Sequence, residues 1–467
     1  MARAAESVSA VIKAYDVRGV VGEQIDEEFV REVGASFARL LRSEGSADRV
    51  VIGHDMRASS PSLSQAFADG VTAQGLDVVL IGLASTDQLY FASGLLDAPG
   101  AMFTASHNPA KYNGIKLCRA GAKPVGQDTG LAQISADLVE GVPAYDGERG
   151  NITEQDVLED YASFVRGLVD LAEMRPLKVA VDAGNGMGGH TVPAVFGALP
   201  VDLVPLYFEL DGTFPNHEAN PLDPANLVDL QRLVVESGAD VGLAFDGDGD
   251  RLGVVTKSGQ IIWPDRQLVL FARDVLERNP GATIIYDVKC SRHVGLSVEA
   301  AGGAALMWKT GHSLVKAKLA ETGAPLAGEM SGHIFFKERW YGFDDGLYTG
   351  ARLLEIVSRA ADACAPLEAL PQDVSTPELK LEMEEGQPFT LVKSLQEQGQ
   401  FPDAKRVITI DGVRAEYADG FGLARPSNTT PVVVLRFEAQ SEAALARIQA
   451  DFRRELGKLA PNATLPF

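Results

Sequence analysis

Cysteine is scarce in this sequence, and the cysteines that occur are scattered. The 467 residues include three cysteines, Cys118, Cys290 and Cys364, and their spacing does not resemble that of metal ligands. An odd number of widely separated cysteines argues against a disulfide framework and is typical of proteins in a reducing compartment. We therefore expect all three to be structural thiols.

Long apolar runs and an excess of positive charge are also missing. No apolar stretch is long enough to span a bilayer, and the opening MARAAESVSAVIKAYD lacks the apolar region of a signal peptide. The formal net charge of -22 would repel nucleic acid and anionic membranes. These features predict a cytoplasmic enzyme with small-molecule substrates and with neither nucleic acid nor membrane as a partner. An anionic ligand would need basic side chains concentrated in one cleft.

The first three-quarters of the chain alternates short β-branched runs with longer helical patterns, which is typical of parallel α/β units. The pattern restarts twice, so three similar blocks follow one another. In each block the third predicted strand runs into a polar loop, and ligands of parallel sheets bind at the carboxyl ends of strands. The predicted strands lie at residues 50–55, 77–82 and 101–106, at 177–186, 201–207 and 240–250, and at 282–290, 305–313 and 324–333.

The C-terminal part of the chain has a different pattern. LKLEM alternates with a period of two, RVITID and PVVVLRFEA resemble further strands, and a helical pattern at 441–459 places Leu445, Ile448, Phe452 and Leu459 on one face. Turn formers and charges gather near 143–151, 256–260 and 369–373. The expected architecture is three similar mixed or parallel α/β domains, at 1–150, 151–257 and 258–370, and a smaller α+β domain at 371–467.

The stretch T-A-S-H-N-P, residues 104–109, raises the question of what Ser106 does. A serine beside a histidine suggests a hydrolase, but sequence neighbours rarely aim their side chains at each other, and the G-x-S-x-G turn is missing. The structural interpretation is a strand that ends in a turn, with Ser106 or Asn108 capping the helix that follows. Taken alone, the motif favours this structural interpretation, because short motifs often match by chance.

A second loop carries alternating aspartates. F-D-G-D-G-D-R spaces Asp246, Asp248 and Asp250 with glycines, and carboxylates crowded in this way repel one another unless a cation neutralises them. An EF-hand does not fit, because Arg251 stands where the sharp-turn glycine is needed and Lys257 where the closing glutamate is needed. The small set of carboxylates favours Mg²⁺ held together with a phosphate oxygen, and an acidic surface turn is the weaker alternative.

The stretch G-N-G-M-G-G, residues 184–189, matches a dinucleotide-binding fingerprint, and Glu209 lies near the end of the next predicted strand. That match alone would support a nicotinamide-dependent dehydrogenase. It leaves the serine loop and the aspartate loop without a role, however. We therefore interpret the stretch as a tight turn from strand to helix.

Further candidate binding residues lie in polar loops of the third block and near the C-terminus. A-R-P-S-N-T-T-P combines Arg425 with hydroxyl and amide donors, the set that a phosphate dianion needs, although a polar hairpin tip explains it equally well. G-E-M-S-G-H offers a carboxylate, a hydroxyl and the imidazole of His333, which suit sugar hydroxyls and proton transfer. K-T-G-H-S adds His312, and each histidine taken singly fits an ordinary structural role equally well.

Taken in order, KAYDVRG, TASHNP, DGDGDR, GEMSGH and RPSNTTP resemble the motifs of the α-D-phosphohexomutase superfamily, over the range 13–431. At three places the motifs resemble those of bacterial phosphomannomutase/phosphoglucomutase enzymes and differ from the DGDADR, GEQSGH and RPSGTEP motifs of phosphoglucosamine mutases. These places are Gly249, Met330 and residues 427–430. The resemblance implies a heart-shaped molecule whose four domains meet at a central cleft. It also implies interconversion of the 1-phosphates and 6-phosphates of mannose or glucose.

The resemblance further implies a role for each motif. Ser106 would carry a phosphoryl group, and Mg²⁺ would be bound by the phosphoserine oxygen together with Asp246, Asp248 and Asp250. A glucose or mannose 1,6-bisphosphate would be the bound intermediate and hexose phosphates the substrates. The implied catalytic residues are Ser106, Arg18, Lys116, Arg251 and His333. The implied substrate-binding residues are Tyr15, Lys289, His312, Glu329, Ser331, Arg425, Ser427, Asn428 and Thr429.

Some positions depart from the pattern of the superfamily. His54 stands where an arginine is common, Ala105 replaces a glycine, and Ser85-Thr86-Asp87 replaces a Pro-Thr-Pro turn. None of these changes removes an implied catalytic group. Two alternative activities stay open: a phosphoglucosamine mutase, and a phosphatase that passes the phosphoryl group from Ser106 to water. The sequence leaves a monomer and a dimer equally open.

Overall fold

The structure, a computed structural model, describes residues 2–428 and 430–467. It contains four β-sheets that follow one another along the chain, with helices between their strands. The first three sheets contain parallel strand pairs, and the fourth is antiparallel. The predicted architecture of three α/β domains followed by a smaller α+β domain is therefore confirmed. Among the described residues, no helix has both the length and the apolar character needed to cross a membrane.

The first domain is built on a seven-stranded mixed sheet. Its strands are β1 (Val17–Val20), β2 (Arg49–His54), β3 (Asp77–Leu83), β4 (Gly100–Phe103), β5 (Tyr112–Arg119), β6 (Lys123–Pro124) and β7 (Ile152–Glu154). Its helices are α1 (Ala5–Val11), α2 (Glu27–Glu44), α3 (Ser60–Ala73), α4 (Thr86–Leu95) and α5 (Leu131–Glu140). The strand order is β1-β5-β4-β2-β3-β7, with β6 beside β5. The three strands predicted for this block correspond to β2, β3 and β4.

Helix α2 illustrates how local sequence sets the ends of an element. Asp26 precedes the helix and accepts a hydrogen bond from the backbone N–H of Phe29 at 2.7 Å, as an N-cap does. Gly45 follows the helix with a φ of +61°, a conformation that glycine adopts without a steric penalty. The buried face of α2 carries Phe29, Val33 and Phe37, so the helix packs on the sheet through one apolar stripe.

The second domain has a five-stranded sheet with the order β12-β11-β10-β8-β9. Its strands are β8 (Leu177–Asp182), β9 (Val201–Leu206), β10 (Val241–Phe245), β11 (Leu252–Thr256) and β12 (Ile261–Ile262), and its helices are α6 (Leu158–Gly167), α7 (Gly188–Phe196) and α8 (Val228–Ser237). The predicted strands correspond to β8, β9 and β10. Residues 184–187 form the turn from β8 into α7, as predicted, and residues 188 and 189 begin the helix. The aspartate loop joins β10 to its antiparallel neighbour β11.

The third domain has a four-stranded sheet with the order β14-β13-β15-β16. Its strands are β13 (Thr283–Asp287), β14 (Ala304–Trp308), β15 (Leu326–Gly328) and β16 (Ile334–Phe336). Its helices are α9 (Pro264–Arg278), α10 (Arg292–Ala300), α11 (His312–Thr322), α12 (Gly346–Ser358) and α13 (Ala365–Glu368). The predicted strands correspond to β13, β14 and β15, and G-E-M-S-G-H turns from β15 into β16.

The fourth domain is a six-stranded antiparallel sheet with two helices. Its strands are β17 (Val374–Ser375), β18 (Leu379–Glu382), β19 (Arg406–Ile408), β20 (Val413–Glu416), β21 (Gly420–Pro426) and β22 (Val432–Ala439), and its helices are α14 (Gln387–Gln398) and α15 (Glu442–Leu459). The apolar face predicted for α15 is confirmed, because Leu445, Ile448 and Phe452 are buried and Leu459 packs beside them.

The hydrophobic cores join three of the domains and leave the fourth apart. One large apolar cluster contains residues of all three α/β domains, including Met102, Phe245 and Leu326. The fourth domain has a separate core. A small apolar cluster around Val288 and buried polar contacts connect it to the third domain; one of these is the hydrogen bond from Arg436 Nη1 to the Lys289 carbonyl at 2.8 Å. A fused body of three domains therefore meets a separately folded fourth domain, and we call the region where the four domains meet the cleft.

Candidate active site

Ser106 lies in the turn after β4 and faces the second domain. Its Oγ donates to Asp246 Oδ2 at 2.8 Å and lies 3.3 Å from Arg251 Nη2. Its φ of +51° falls in the left-handed region, which is uncommon for a residue other than glycine and often marks a functional turn. Strand β5 follows this turn, so the interpretation of Ser106 or Asn108 as a helix cap is wrong.

His107 is close to Ser106, although sequence neighbours were not expected to contact each other. Its Nδ1 lies 3.2 Å from Ser106 Oγ and 2.5 Å from Arg251 Nη2. Burial lowers the pKa of His107 well below its usual range, and the charge of Arg251 lowers it further. The imidazole is therefore neutral at pH 7 and accepts a hydrogen bond from the guanidinium. An arginine, not the carboxylate of a hydrolase triad, contacts this histidine.

The side chain of Arg57 binds the backbone of the turn that carries Ser106, the serine turn. Its guanidinium donates to the carbonyl oxygens of Ser106 at 2.8 Å and Asn108 at 2.6 Å, and to those of Pro109 and Tyr112 at 3.1 Å each. The Arg57 side chain is buried and pairs with Asp55, whose Oδ2 lies 3.2 Å from Nε. We did not predict this residue as part of the site. The Asp-x-Arg sequence at the carboxyl end of β2 was the available signal.

The aspartate loop approaches the serine turn so closely that only glycine fits between them. A Cβ added at Gly247 would lie 2.3 Å from the Ser106 carbonyl oxygen, well inside van der Waals contact. Another close contact comes from the first domain, where Thr86 Oγ1 donates to Asp248 Oδ2 at 2.5 Å. The glycines of D-G-D-G-D thus serve close packing of two domains as well as curvature around an ion.

The three aspartates converge as the sequence predicted. Asp246, Asp248 and Asp250 are fully buried, and one carboxylate oxygen of each lies within 4.8 Å of the others. Lys116 Nζ contacts Asp248 Oδ2 at 2.7 Å and Asp250 Oδ2 at 2.6 Å. Among the described residues, Asp248 Oδ1 is buried without a hydrogen-bond partner. Oxygen ligands in this number, with a spare buried lone pair, fit a hard divalent cation.

The carboxylates of this loop differ in their titration. Burial raises the pKa of Asp246 to about 7, although the neighbouring Arg251 opposes the shift. Asp250 is also buried, but the charges of Lys116 and His333 outweigh that effect and hold its pKa well below the usual range. The negative charge of Asp246, which contacts the serine, therefore depends more on a nearby cation than that of Asp250 does.

The loop between β15 and β16 brings Glu329, Ser331 and His333 into the same cleft. His333 Nδ1 lies 3.0 Å from Ser331 Oγ and 3.3 Å from Glu329 Oε2, and His333 Nε2 lies 3.5 Å from Asp250 Oδ1. Burial would lower the pKa of His333, but the charge of Asp250 and the close approach of the Asp250 and Glu329 carboxylates raise it to about 10. The loop thus connects the predicted sugar-binding residues to the aspartate loop.

His312 begins α11 beside His333, with ring centroids 5.9 Å apart. Burial and the charge of Lys316 lower the pKa of His312 to about 3, so this imidazole is neutral. Asp344, which the sequence analysis missed, lies between these groups and pairs with Lys316 Nζ at 2.9 Å. The F-D-D-G stretch before α12 gave only a weak signal, because acidic pairs at helix starts are common.

Arg425, Lys289 and Asn428 form the other end of the cleft. Arg425 belongs to β21 instead of the loop where it was predicted, and its Nε pairs with Asp411 Oδ2 at 3.1 Å. Lys289 Nζ pairs with Glu378 Oε1 at 2.6 Å. Ser427 and Asn428 follow the strand, whereas the predicted Thr429 lies outside the described residues. A guanidinium, an ammonium and neutral donors are thus gathered at one place.

Two residues of the first domain contact the cleft, one at each end. Tyr15 accepts a hydrogen bond at its hydroxyl from Asn428 Nδ2 at 2.8 Å, and its ring lies 6.1 Å from that of His312. Arg18 Nη1 donates to Asn108 Oδ1 in the serine turn at 3.2 Å, and Arg18 Nη2 pairs with Asp16. The described residues predicted from the sequence are therefore gathered along one cleft. Its cations contrast with the net charge of -22 for the whole chain.

Comparison with known families and proteins identifies this arrangement. The chain matches, in order, the families described as phosphoglucomutase/phosphomannomutase alpha/beta/alpha domain I (residues 9–140), domain II (159–259), domain III (263–374) and C-terminal domain (378–455). The chain belongs to the phosphoglucomutase/phosphomannomutase family. The predicted resemblance to the α-D-phosphohexomutase superfamily is confirmed.

Individual relatives agree over the full length of the chain. It is 47% identical to a phosphomannomutase/phosphoglucomutase of Pseudomonas putida over 98% of both chains, and 46% identical to a phosphoglucomutase of Neisseria meningitidis over 98% of both. A crystal structure of a phosphoglucomutase/phosphomannomutase family protein from Burkholderia thailandensis is 51% identical and superposes with a TM-score of 0.93 over the whole of both chains. The chain is a hexose-phosphate mutase, an enzyme of the isomerase class.

Proposed function

We propose that this mutase interconverts the 1-phosphates and 6-phosphates of mannose and glucose through a phosphoryl group carried on Ser106. The observation that carries the proposal is the position of Ser106 Oγ, 2.8 Å from Asp246 and 3.3 Å from the Arg251 guanidinium. A hydroxyl held among cations and a potential metal site is suited to receive and return a phosphoryl group. The identity of the chain with relatives of both names supports the two sugars as substrates.

We propose that Asp246, Asp248, Asp250 and an oxygen of phosphorylated Ser106 hold Mg²⁺. The unpartnered Asp248 Oδ1 and the absence of nitrogen ligands within this trio support a hard cation. When bound, Mg²⁺ supplies positive charge that stabilises the phosphoryl group during transfer. Lys116 neutralises Asp248 and Asp250 in the arrangement described here.

In the proposed reaction, the bond between phosphorus and Ser106 Oγ breaks as a free sugar hydroxyl forms a new bond to phosphorus. The sugar becomes a 1,6-bisphosphate, turns end over end, and returns its other phosphoryl group to Ser106. Arg18, Lys116 and Arg251 stabilise the transferring charge, and Lys116, Arg18 and His333 are the candidates for moving the proton of the reacting hydroxyl.

The far end of the cleft would hold the phosphate that does not react. We assign this role to Arg425, Ser427, Asn428 and Thr429, with Lys289 nearby, and the side chains of Tyr15 and His312 line the path between the two ends. Glu329 and Ser331 would bind the O3 and O4 hydroxyls, which present similar positions when the sugar is turned. Recognition there, and not at C2, would admit both mannose and glucose.

Intact mass and peptide mapping of the purified protein test the proposal. We expect one phosphoryl group on Ser106, lost when hexose phosphate is added and restored by glucose 1,6-bisphosphate. Ser106→Ala should lack the group and lose at least about 10³-fold in kcat, whereas the exposed Ser9→Ala control should keep both. An unmodified Ser106 that glucose 1,6-bisphosphate does not phosphorylate would contradict the mechanism.

Parallel assays separate the alternatives. Dominant turnover of glucosamine 1-phosphate would favour a phosphoglucosamine mutase, and rapid release of inorganic phosphate without isomer formation would favour a phosphatase. We also propose that the enzyme works in the cytoplasm, which its three free, buried cysteines suit. Domain boundaries near 150, 257 and 370 belong to the same proposal; the first sheet extends to Glu154 and the second to Ile262.

A further inference from the structure

Three atoms face one another beside the aspartate loop: the buried oxygens Asp250 Oδ1 and Asp344 Oδ2, and Nε2 of the half-buried His333. The imidazole nitrogen lies 3.5 Å from Asp250 Oδ1 and 3.9 Å from Asp344 Oδ2, and all three atoms lie within 4.8 Å of one another. In the described part of the chain, neither of the two carboxylate oxygens has a hydrogen-bond partner. Two unpartnered buried oxygens that converge on a ring nitrogen call for a ligand.

The opposite atom of each group is already held by another side chain. Asp250 Oδ2 accepts from Lys116 Nζ at 2.6 Å, and Asp344 Oδ1 accepts from Lys316 Nζ at 2.9 Å. His333 Nδ1 is engaged by the Ser331 hydroxyl and the Glu329 carboxylate. Fixing the outer atom of each ligand in this way aims the inner atoms at a common point, as the surroundings of metal-binding histidines and carboxylates commonly do.

We propose that Asp250, His333 and Asp344 form a second metal site, specific for a divalent transition metal ion of the zinc class. Bonds of about 2.0–2.2 Å to such an ion would draw the three atoms only slightly closer than they are. An imidazole among the ligands favours zinc, cobalt or nickel over magnesium, which prefers oxygen alone. The site adjoins the three-aspartate site and shares Asp250 with it.

The neighbourhood of these atoms is negatively charged. With the imidazole left out of the count, it contains five carboxylates and three fixed cations, an excess of two negative charges. The carboxylates are those of Asp246, Asp248, Asp250, Glu329 and Asp344, and the cations are Lys116, Arg251 and Lys316. His312 Nδ1 is buried and unpartnered among the described residues, 3.8 Å from Asp344 Oδ2, and offers a nitrogen ligand for a fourth position.

An ion in this second site would occupy His333 Nε2 and one oxygen of Asp250. Both groups belong to the proposed mutase machinery, so binding should inhibit turnover even when magnesium is saturating. The inhibition rests on the proposed function, but the binding does not. A failure of the mutase mechanism would therefore leave the metal-binding test intact.

Cobalt is the probe for this site, because its visible spectrum reports both coordination number and nitrogen ligation. Full-length protein in excess magnesium is titrated with Co²⁺ and followed by absorption and by X-ray absorption at the cobalt edge. We expect one Co²⁺ per chain with an intense visible band and an imidazole shell. His333→Gln should abolish the band, and Glu329→Gln should weaken Co²⁺ binding by about 10–100-fold.

Two controls keep the result specific. His190→Gln removes a half-buried histidine elsewhere and should leave the band unchanged, as should Asp248→Asn, because Asp248 belongs to the three-aspartate site and is not one of the three ligands of the second site. Near-UV circular dichroism verifies that each variant is folded. A weak, all-oxygen cobalt spectrum in the unaltered protein, or a band that survives in His333→Gln, would overturn the proposal and leave His333 as an ion-pair partner of the two aspartates only.

Discussion

The two ends of the cleft are built in different ways. Ser106 and the aspartate loop belong to domains that share one apolar core, and the charged groups around them are almost fully buried. Arg425 and Asn428 belong to the fourth domain, which has a core of its own and reaches the first domain through the hydrogen bond from Asn428 to Tyr15. The reacting end, with Ser106 and the aspartate loop, is thus part of a fused body. The phosphate-holding end, with Arg425 and Asn428, belongs to a separately folded domain.

This difference matches what the proposed reaction requires of each end. Phosphoryl transfer depends on accurate positioning of charge, so the reacting end benefits from preorganised, water-excluded groups. The phosphate-holding end must accept a sugar in two orientations and release it, and it belongs to a domain whose core is separate from that of the other three. We infer that substitutions at the reacting end act mainly on stability and kcat, and those at the other end mainly on KM.

Replacing Arg57 should produce the largest change. Arg57→Gln leaves Asp55 as an unpaired buried charge and removes donors from the carbonyls of the serine turn. We expect the apparent free energy of unfolding to fall by about 3–5 kcal/mol in urea titration. The matched control is Arg447→Gln, which removes a half-exposed partner of Asp419 and should cost no more than about 1 kcal/mol.

A double variant tests whether the loss of stability comes from the unpaired charge of Asp55. Asp55→Asn combined with Arg57→Gln removes both buried charges and should recover part of the lost stability, although the serine turn still lacks its donors. If Arg57→Gln lowers the free energy of unfolding no more than Arg447→Gln does, the hydrogen bonds of Arg57 do not stabilise the reacting end.

Replacing Arg425 should have the next largest effect, on substrate binding. Arg425→Ala removes the guanidinium from the proposed phosphate site, and kcat/KM should fall by about 100-fold, mostly through KM. Arg425→Lys keeps the charge without the bidentate geometry and should lose about tenfold. The control Arg406→Ala removes an exposed arginine of the same domain and should change neither constant. A fall in kcat at constant KM would place Arg425 at the reacting end instead.

The sequence predicted three strands in each α/β domain but few of the contacts that hold the site together. Strands β1 and β5, which carry Arg18 and Lys116, were not predicted. All nine strands predicted for the α/β domains exist, because buried parallel strands have a strong apolar signature. The described motif residues also meet in one cleft. Arg57 and Asp344 were missed because their partners, the carbonyls of the serine turn and Lys316, are distant in sequence. Pairing over such distances leaves no periodic pattern to detect.

The departure at Ser85-Thr86-Asp87 is a further example, since its consequence emerges only from packing. Asp87 is buried against Asp345, and both carboxyls contact the Tyr161 hydroxyl, at 2.9 Å and 3.0 Å respectively. Burial raises the pKa of Asp345 to about 6, and burial together with the charge of Asp345 raises that of Asp87 well above its usual range. The pair therefore holds a proton at a junction of three domains.

Asp87→Asn should make the fused body more stable at alkaline pH. Both carboxyls have raised pKa values in the folded protein, so their contribution to stability is complete below about pH 4 and is lost as pH rises through about 6 and above. The asparagine amide can donate to Asp345 at any pH. We expect the apparent free energy of unfolding at pH 8 to rise by about 1–2 kcal/mol, with a smaller difference at pH 5. The exposed Asp128→Asn control should leave the pH dependence unchanged, and a variant that is less stable at both pH values would contradict the shared proton.

Removing the Tyr15 hydroxyl should have the smallest effect, because it breaks one neutral hydrogen bond between the fourth domain and the rest of the molecule. Tyr15→Phe keeps the ring beside His312 but loses the acceptor for Asn428, and we expect KM for hexose phosphate to rise by about 3–10-fold with little change in kcat. Asn428→Ala should give a similar rise, and the double variant no more than the larger single effect if the residues act through this contact. A loss as large as that of Arg425→Ala would mean that the two ends of the cleft depend on each other as one unit. The distinction between a reacting end inside a fused body and a binding end on a separately folded domain would then fail.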